Sequence, residues 1–389
     1  MTRAATALRI PRADGAVHDF VPGAASPFAP PPGPPRSRVC FAAAHVVADP
    51  LAPGDPEGPA QLDWEATLAY RRHLWAHGFR VAEAMDTAQR GMGLDWAATQ
   101  ELIRRSVAEA RACGGGIAAG AGTDQLAPGA PLDAVLAAYE EQCAFVEAAG
   151  AQVILMASRA LAAAATGADD YARVYARVLG GLERPAILHW LGPMFDPALA
   201  GYWGDGDLGE AAETMLAVIA DNAARVDGVK VSLLDDAREI ALRRRLPDGV
   251  KLYTGDDFNY PALIAGDEHG FSHALLGIFD AIAPAAAAAL QALDAGDRES
   301  YDAALAPTVP LSRHIFAAPT YHYKTGIVFL AYLNGHQDHF RMVGGRESAR
   351  SAAHLGELLV LADAARLLRD PELACARARP VFELAGIAP

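Results

Sequence analysis

Lysine is nearly absent from this 389-residue chain. Of its 33 basic side chains three are lysines, Lys230, Lys251 and Lys324, which leaves thirty arginines. Arginine has taken most positions where either cation serves. The surviving lysines are therefore enriched where a permanently charged guanidinium cannot substitute. A buried lysine can lose its proton and attack a carbonyl, whereas arginine stays charged. Cysteine is scarce as well: Cys40, Cys113, Cys143 and Cys375 lie far apart, with no CxxC spacing. This argues against a disulfide framework or a cysteine zinc site and for reduced thiols in a cytoplasmic protein. No apolar run reaches the ~20 residues of a membrane-spanning helix. Residues 1–10 lack the continuous apolar stretch of a signal peptide. Excess positive charge is missing too, since the net charge is −14. Nucleic acid and anionic membrane are accordingly disfavoured as partners.

What is present suits a globular α/β protein, with 52% hydrophobic residues to build a core. Residues 1–37 are rich in proline and glycine and read as an extended arm ending in Pro30-Pro31-Pro32-Gly33-Pro34-Pro35. From 38 onward short apolar runs alternate with helical patterns. The runs predict strands at 39–44, 80–84, 116–119, 153–156, 186–189, 228–232, 251–253 and 270–275. Amphipathic segments at 63–77, 95–113, 132–149, 171–182 and 210–224 predict helices between them. Eight alternating units match a closed (β/α)8 TIM barrel of ~250 residues, over 38–290. An open doubly wound sheet would want a glycine-rich phosphate loop directly after a strand. Gly114-Gly115-Gly116 precedes its strand, and Gly120-Ala121-Gly122 is only a fragment of such a loop. Residues 291–389 are helical in pattern and predict a C-terminal helical layer against the barrel.

Barrel chemistry gathers at the C-terminal ends of the strands. Those ends read His45, Asp86 with Thr87, Thr123 with Asp124, Ser158 with Arg159, His189 with Trp190, Lys230 with Ser232, Asp256 with Asp257, and Ser272 with His273. Thr and Asp at such places also serve as helix N-caps. Lys230 stands apart, because a lone ammonium in Val226-Asp227-Gly228-Val229-Lys230-Val231-Ser232 is costly unless paired or deprotonated. Lys251 begins a strand, at the wrong end of a barrel for catalysis. Lys324, in Tyr321-His322-Tyr323-Lys324, falls in the helical layer and reads as structural.

Gly228-Val229-Lys230-Val231-Ser232, followed by Tyr253-Thr254-Gly255-Asp256-Asp257, resembles strands six and seven of the dihydrodipicolinate synthase / N-acetylneuraminate lyase family. Gly120-Ala121-Gly122-Thr123 is similar to that family's turn after strand three, and Gly270-Phe271-Ser272 to its strand eight. The resemblance covers roughly 38–290 and looks closest to a divergent branch. It implies a class I, Schiff-base lyase or aldolase with Lys230 as nucleophile and a dimeric or tetrameric assembly. Thr87 matches the second threonine of the family's Gly-Thr-Thr-Gly-Glu, which contacts the substrate carboxylate and relays protons. Asp86 replaces the first threonine. After strand five the family's Tyr-Asn-x-Pro has become His189-Trp190-Leu191-Gly192-Pro193. Its proton-shuttling tyrosine therefore falls on Trp190 or, allowing one insertion, on His189. Ala157-Ser158-Arg159 replaces the family's aromatic motif after strand four.

The expected chemistry is imine formation between Lys230 and a small-molecule keto acid or keto sugar, with no diffusible cofactor. His189 is expected as acid/base, since histidine titrates near neutral pH and tryptophan does not. Thr87 would hold a carboxylate or hydroxyl. Asp86, His45 and Asp256 would orient hydroxyls, and Arg159 would supply positive charge. Thr123, Ser232 and Ser272 complete the expected substrate contacts. Two other readings stay open. Glu83, Asp86, His45, His189 and His273 are metal-ligand types on different strands and would suit a metal-dependent barrel enzyme. His336-Gln337-Asp338-His339 is a further metal-ligand run, more simply an exposed polar turn. A barrel that has lost catalysis and serves as a binding protein is the third.

Overall fold

A computed structural model describes residues 7–53 and 55–387. Residues 1–6 of the expected arm lie outside that range. The first element is a hairpin, β1 (Leu8–Pro11) and β2 (Val17–Phe20), turning at Gly15. Sequence reading missed it, because its alternation of Leu8, Ile10 and Phe20 is short and lies in a proline-rich context. These three side chains are buried. The chain then runs extended along the C-terminal helices, with Ser26 N–H bonded to the Leu368 carbonyl and Arg366 to the carbonyls of Ala24 and Ala25.

Eight parallel strands close the barrel: β3 (Cys40–Ala43), β4 (Arg80–Glu83), β5 (Ile117–Ala121), β6 (Gln152–Leu155), β7 (Ala186–Leu191), β8 (Val226–Ser232), β9 (Lys251–Thr254) and β10 (His273–Leu276). The order follows the sequence, and β10 pairs with β3 to seal it. The strands are largely apolar on both faces because helices cover the outside. Around it lie α1 (Trp64–Ala76), α2 (Trp96–Cys113), α3 (Leu132–Ala149), α4 (Arg159–Ala164), α5 (Ala168–Gly181), α6 (Leu208–Asp221), α7 (Asp236–Arg243), α8 (Tyr260–Ala265) and α9 (Ile278–Asp294). Aspartates start several of them: Asp63, Asp95, Asp207 and Asp235 each accept a backbone N–H one turn on. α9 runs past the expected boundary at 290. Five helices follow: α10 (Arg298–Leu305), α11 (Thr308–Ile315), α12 (Tyr323–Leu333), α13 (Ala352–Ala364) and α14 (Pro371–Leu384).

Strand alternation sorts side chains between lumen and outer shell. Phe41, Ala82, Ala118, Ile154, Ile187, Tyr253 and Leu275 fill the lumen as one apolar cluster, while Ala42, Val81, Leu188, Val229 and Val231 join the outer core. Glu83 follows Ala82 and therefore points outward. There Arg71 of α1 grips it with two bonds, Nε–Oε2 at 2.9 Å and Nη2–Oε1 at 2.8 Å, and both side chains are fully buried. The same guanidinium reaches the carbonyls of His45 and Thr67. Removing one partner strands a buried charge, which typically costs about 3–5 kcal/mol. Arg71→Met is expected to lower unfolding stability by that order in denaturant titrations. Adding Glu83→Leu should recover most of the loss. A single variant as stable as the parent would show that the pair contributes little.

Candidate active site

Parallel pairing sets His189 opposite Lys230, and Lys230 opposite Tyr253. Ile187 and Tyr253 face the lumen, so His189, Lys230 and Ser232 do too. Gly255 makes room for them. A Cβ there would meet Ser232 Oγ at 2.1 Å and Lys230 Cε at 2.8 Å. Lys230 is 5% exposed, and among the described residues its amine has no hydrogen-bonded partner. Burial lowers its pKa, against the carboxylates of Asp86 and Asp257, which favour the charged form. Neutral amine is thus more accessible than on a surface lysine. By contrast Lys251 is paired with Asp227 at 2.7 Å.

After β4 the backbone turns sharply, with Ala84 at φ 53°, and a short 3-10 turn presents Asp86 and Thr87. Above them stands Tyr323, the first residue of α12. Its hydroxyl donates to Asp86 Oδ2 at 2.8 Å and lies 2.6 Å from Thr87 Oγ1. Stacking on Phe316, with ring centroids 4.3 Å apart, and the absence of a side chain at Gly277 fix the ring over the barrel mouth. Lys324 follows, 4% exposed, its amine meeting Met92 Sδ at 3.4 Å, the Tyr321 carbonyl at 3.3 Å and the Tyr323 ring at 4.6 Å from its centroid. Burial brings its pKa down to about 8, with Asp86 opposing. Burial also works against the Asp86 carboxylate. Lys324, Lys230, His189 and the Tyr323 hydroxyl outweigh it and hold Asp86 below the usual range. Asp257 is the reverse case, pushed up to about 8 by burial although it accepts the Ile278 N–H at 2.8 Å and faces Lys230.

His189 reaches Ser232 Oγ through Nε2 at 3.2 Å, and its Nδ1 is buried without a partner. Burial, then the Lys230 charge, holds its pKa well below that of an ordinary histidine. It is a neutral imidazole in the lumen. Thr123 and Ser158 hydroxyls are 2.5 Å apart, and Arg159 pairs with Asp196 at 2.5 Å. These groups border a cleft of about 510 Å³ whose wall includes Asp86, Thr123, Arg159 and Lys324. Lys230 is one layer deeper and not on that wall.

Several expected residues stand elsewhere. His45 lies outside the lumen, because β3 ends at Ala43 and the next turn is held by Asp280 of α9. Asp280 Oδ2 takes both the His45 N–H, at 3.0 Å, and Nδ1, at 2.8 Å. Asp256 spends its carboxylate on Phe258 and Asn259 as a turn cap. Ser272 precedes β10, which starts only at His273 after the Asp267–Gly270 turn, so it is at the strand's entry end. Its hydroxyl donates to Glu239 of α7 at 2.7 Å. His273 is at that end too, accepting the Val39 N–H at 2.9 Å. Glu83 is spent on Arg71. The metal-ligand types proposed for the alternative reading therefore do not converge, and the described residues hold no cluster of three His, Cys, Asp or Glu side chains fit for a metal ion. Lys324, read as structural, is at the mouth, Tyr323 was not expected as a site group, and Asp257, one of the strand-end groups, faces Lys230. Lysine scarcity was the one signal for Lys324. Nothing local marks Tyr323.

No helix among the described residues is long and apolar enough to cross a membrane. The fold is similar to that of dihydrodipicolinate synthase from Aquifex aeolicus, at TM-score 0.65 and 13% identity over 85% of this chain and 99% of that one. It is also similar to the Acinetobacter baumannii dihydrodipicolinate synthase complexed with pyruvate, at TM-score 0.64 and 15% identity over 85% and 99%. YagE, a prophage protein of the dihydrodipicolinic acid synthase family from E. coli K12, also in complex with pyruvate, matches at TM-score 0.62 and 13% identity over 90% and 99%. Comparison with curated proteins finds no match. At these identities the likeness establishes the barrel and its attached helices. Residues 8–387 match one family model along their whole length, and the chain belongs to the family that it describes, "Protein of unknown function (DUF993)".

Proposed function

We propose that this protein is a Schiff-base-forming lyase or aldolase acting on a keto acid or keto sugar through Lys230. The observation that carries the reading is an unpaired, lumen-facing lysine beneath a tyrosine–threonine–aspartate set at the C-terminal mouth of the barrel. Neutral Lys230 adds to the substrate carbonyl, and loss of water with uptake of one proton leaves a protonated imine. That cation accepts the electron pair released when the neighbouring C–C bond breaks, giving an enamine, and returns it when a bond forms. Protons must move on and off the substrate at each step. Thr87 and Tyr323 hydroxyls form a path ending at Asp86, which suits them to this role better than His189. Neutral His189 and Ser232 face the lumen beside the amine.

Borohydride reduction in the presence of pyruvate or a panel of keto sugars tests the reading. Intact-mass and peptide analysis should show one reduced adduct, on Lys230. An adduct confined to Lys324, or none with any carbonyl tried, would remove the basis for the assignment.

A further inference from the structure

The cleft above Lys230 is unlike a polyol site. Met92, Met156, Leu191, Phe195 and Leu199 make much of its wall. Its hydroxyls, on Thr123 and Ser158, are engaged with each other at 2.5 Å. Two of its cations are also engaged. Arg159 pairs with Asp196 at 2.5 Å and Arg90 with Asp124 at 2.6 Å. Lys324 differs from both. It is 4% exposed and lies on the cleft wall, and among the described residues its amine meets a thioether, a backbone carbonyl and, at 4.6 Å from the centroid, the Tyr323 ring, with no carboxylate in hydrogen-bond reach. A buried ammonium with no directly bonded anion is costly even with Asp86 nearby, and it suits a place where a ligand supplies that anion.

We propose that Lys324 binds a carboxylate of the substrate, so that the substrate is a carbonyl compound with an apolar body and a single carboxylate. The inference rests on the Lys230 reading for the carbonyl end, while the carboxylate end is independent of it. Charge balance selects a monoanion. The two ammonium groups of Lys230 and Lys324 face Asp86 as their ionised carboxylate, since burial pushes Asp257 up to about 8, and leave one positive charge. A protonated imine preserves the charge on Lys230. A phosphate dianion would leave the site negative, and Lys324 is the one cation on the described cleft wall outside an ion pair. Met156 packs against both the lumen cluster and the cleft, so an apolar segment there would adjoin the layer that holds Lys230.

Calorimetric titration with 3-phenylpropionate, 3-phenylpropionamide and phenylphosphonate tests this on the full chain. The carboxylate should bind wild type at least tenfold more tightly than the neutral amide or the phosphonate. Lys324→Gln should erase that preference while leaving amide binding unchanged, which also reports that the cleft is intact. Lys324→Arg should restore part of it. Lys230→Met should still bind the carboxylate, so failure of imine trapping and failure of carboxylate recognition are separable. Equal binding of acid and amide, tighter binding of the phosphonate, or an unchanged preference in Lys324→Gln would overturn the proposal.

Discussion

Lys230→Met is expected to eliminate borohydride trapping and to slow exchange of pyruvate methyl protons with solvent deuterium by about 10⁴- to 10⁶-fold, the scale on which removing a covalent nucleophile acts. Methionine is chosen because it approximates the aliphatic stem and fits a packed lumen, whereas the guanidinium of arginine would crowd Gly255 and Ser232. Folding should survive, since the amine makes no hydrogen bond among the described residues and burial already disfavours its charge. Asp86 loses one of the cations that lower its pKa but keeps Lys324, the larger. Proton exchange is a suitable readout because enamine formation from pyruvate requires the imine and no second substrate. NMR would follow it directly. Exchange at the wild-type rate in a folded Lys230→Met protein would falsify the imine mechanism.

Tyr323→Phe is expected to separate two steps that Lys230→Met abolishes together. Among the described residues the phenol is the one group hydrogen-bonded to both Asp86 and Thr87. Deleting its oxygen cuts the path without touching the amine. Trapping on Lys230 should persist, while proton exchange should fall by about 10²- to 10⁴-fold, the usual contribution of a positioned acid–base group. The change also leaves the buried Thr87 hydroxyl unpartnered, at a cost of about 1–3 kcal/mol, so a lower melting temperature is expected alongside. Thr87→Val should reproduce the exchange defect in part. Burial and the adjacent Asp86 both raise the Tyr323 pKa well above its ordinary value. The hydroxyl therefore acts as a neutral relay, not as a standing phenolate. If exchange in Tyr323→Phe stays within a few-fold of wild type, protons travel by another route, and neutral His189 becomes the group to vary next.

Both variants probe a site whose halves differ in how readily they were seen. The eight barrel strands were legible because each is a short buried run whose neighbours set its two faces by alternation alone. Lys230 was legible because a nearly lysine-free sequence keeps its few lysines for places arginine cannot fill, and this one lies in such a run. Thr87 and Asp86 follow from the end of the second barrel strand. Reading failed where a strand end was misjudged. Ser272 was placed by the apolar run at 270–275, but the turn at Asp267–Gly270 delays β10 to His273. His45 was placed by continuing β3, but the chain leaves the sheet after Ala43 to meet Asp280.

Sequence by itself thus determined the alternation, the closed barrel and the lumen-facing amine, because these depend on local periodicity and on one residue's intrinsic chemistry. Tertiary structure alone decided what stands over that amine. Tyr323 and Thr87 are 236 positions apart. They meet because α11 and α12 fold back across the barrel mouth, with Phe316 and Gly277 setting the ring and Ser312 bonded to the Asp257 carbonyl. That approach is the sum of many weak packing contacts, none with a period or spacing of its own. It turns a helix-layer lysine and a tyrosine of no evident role into the wall of the site.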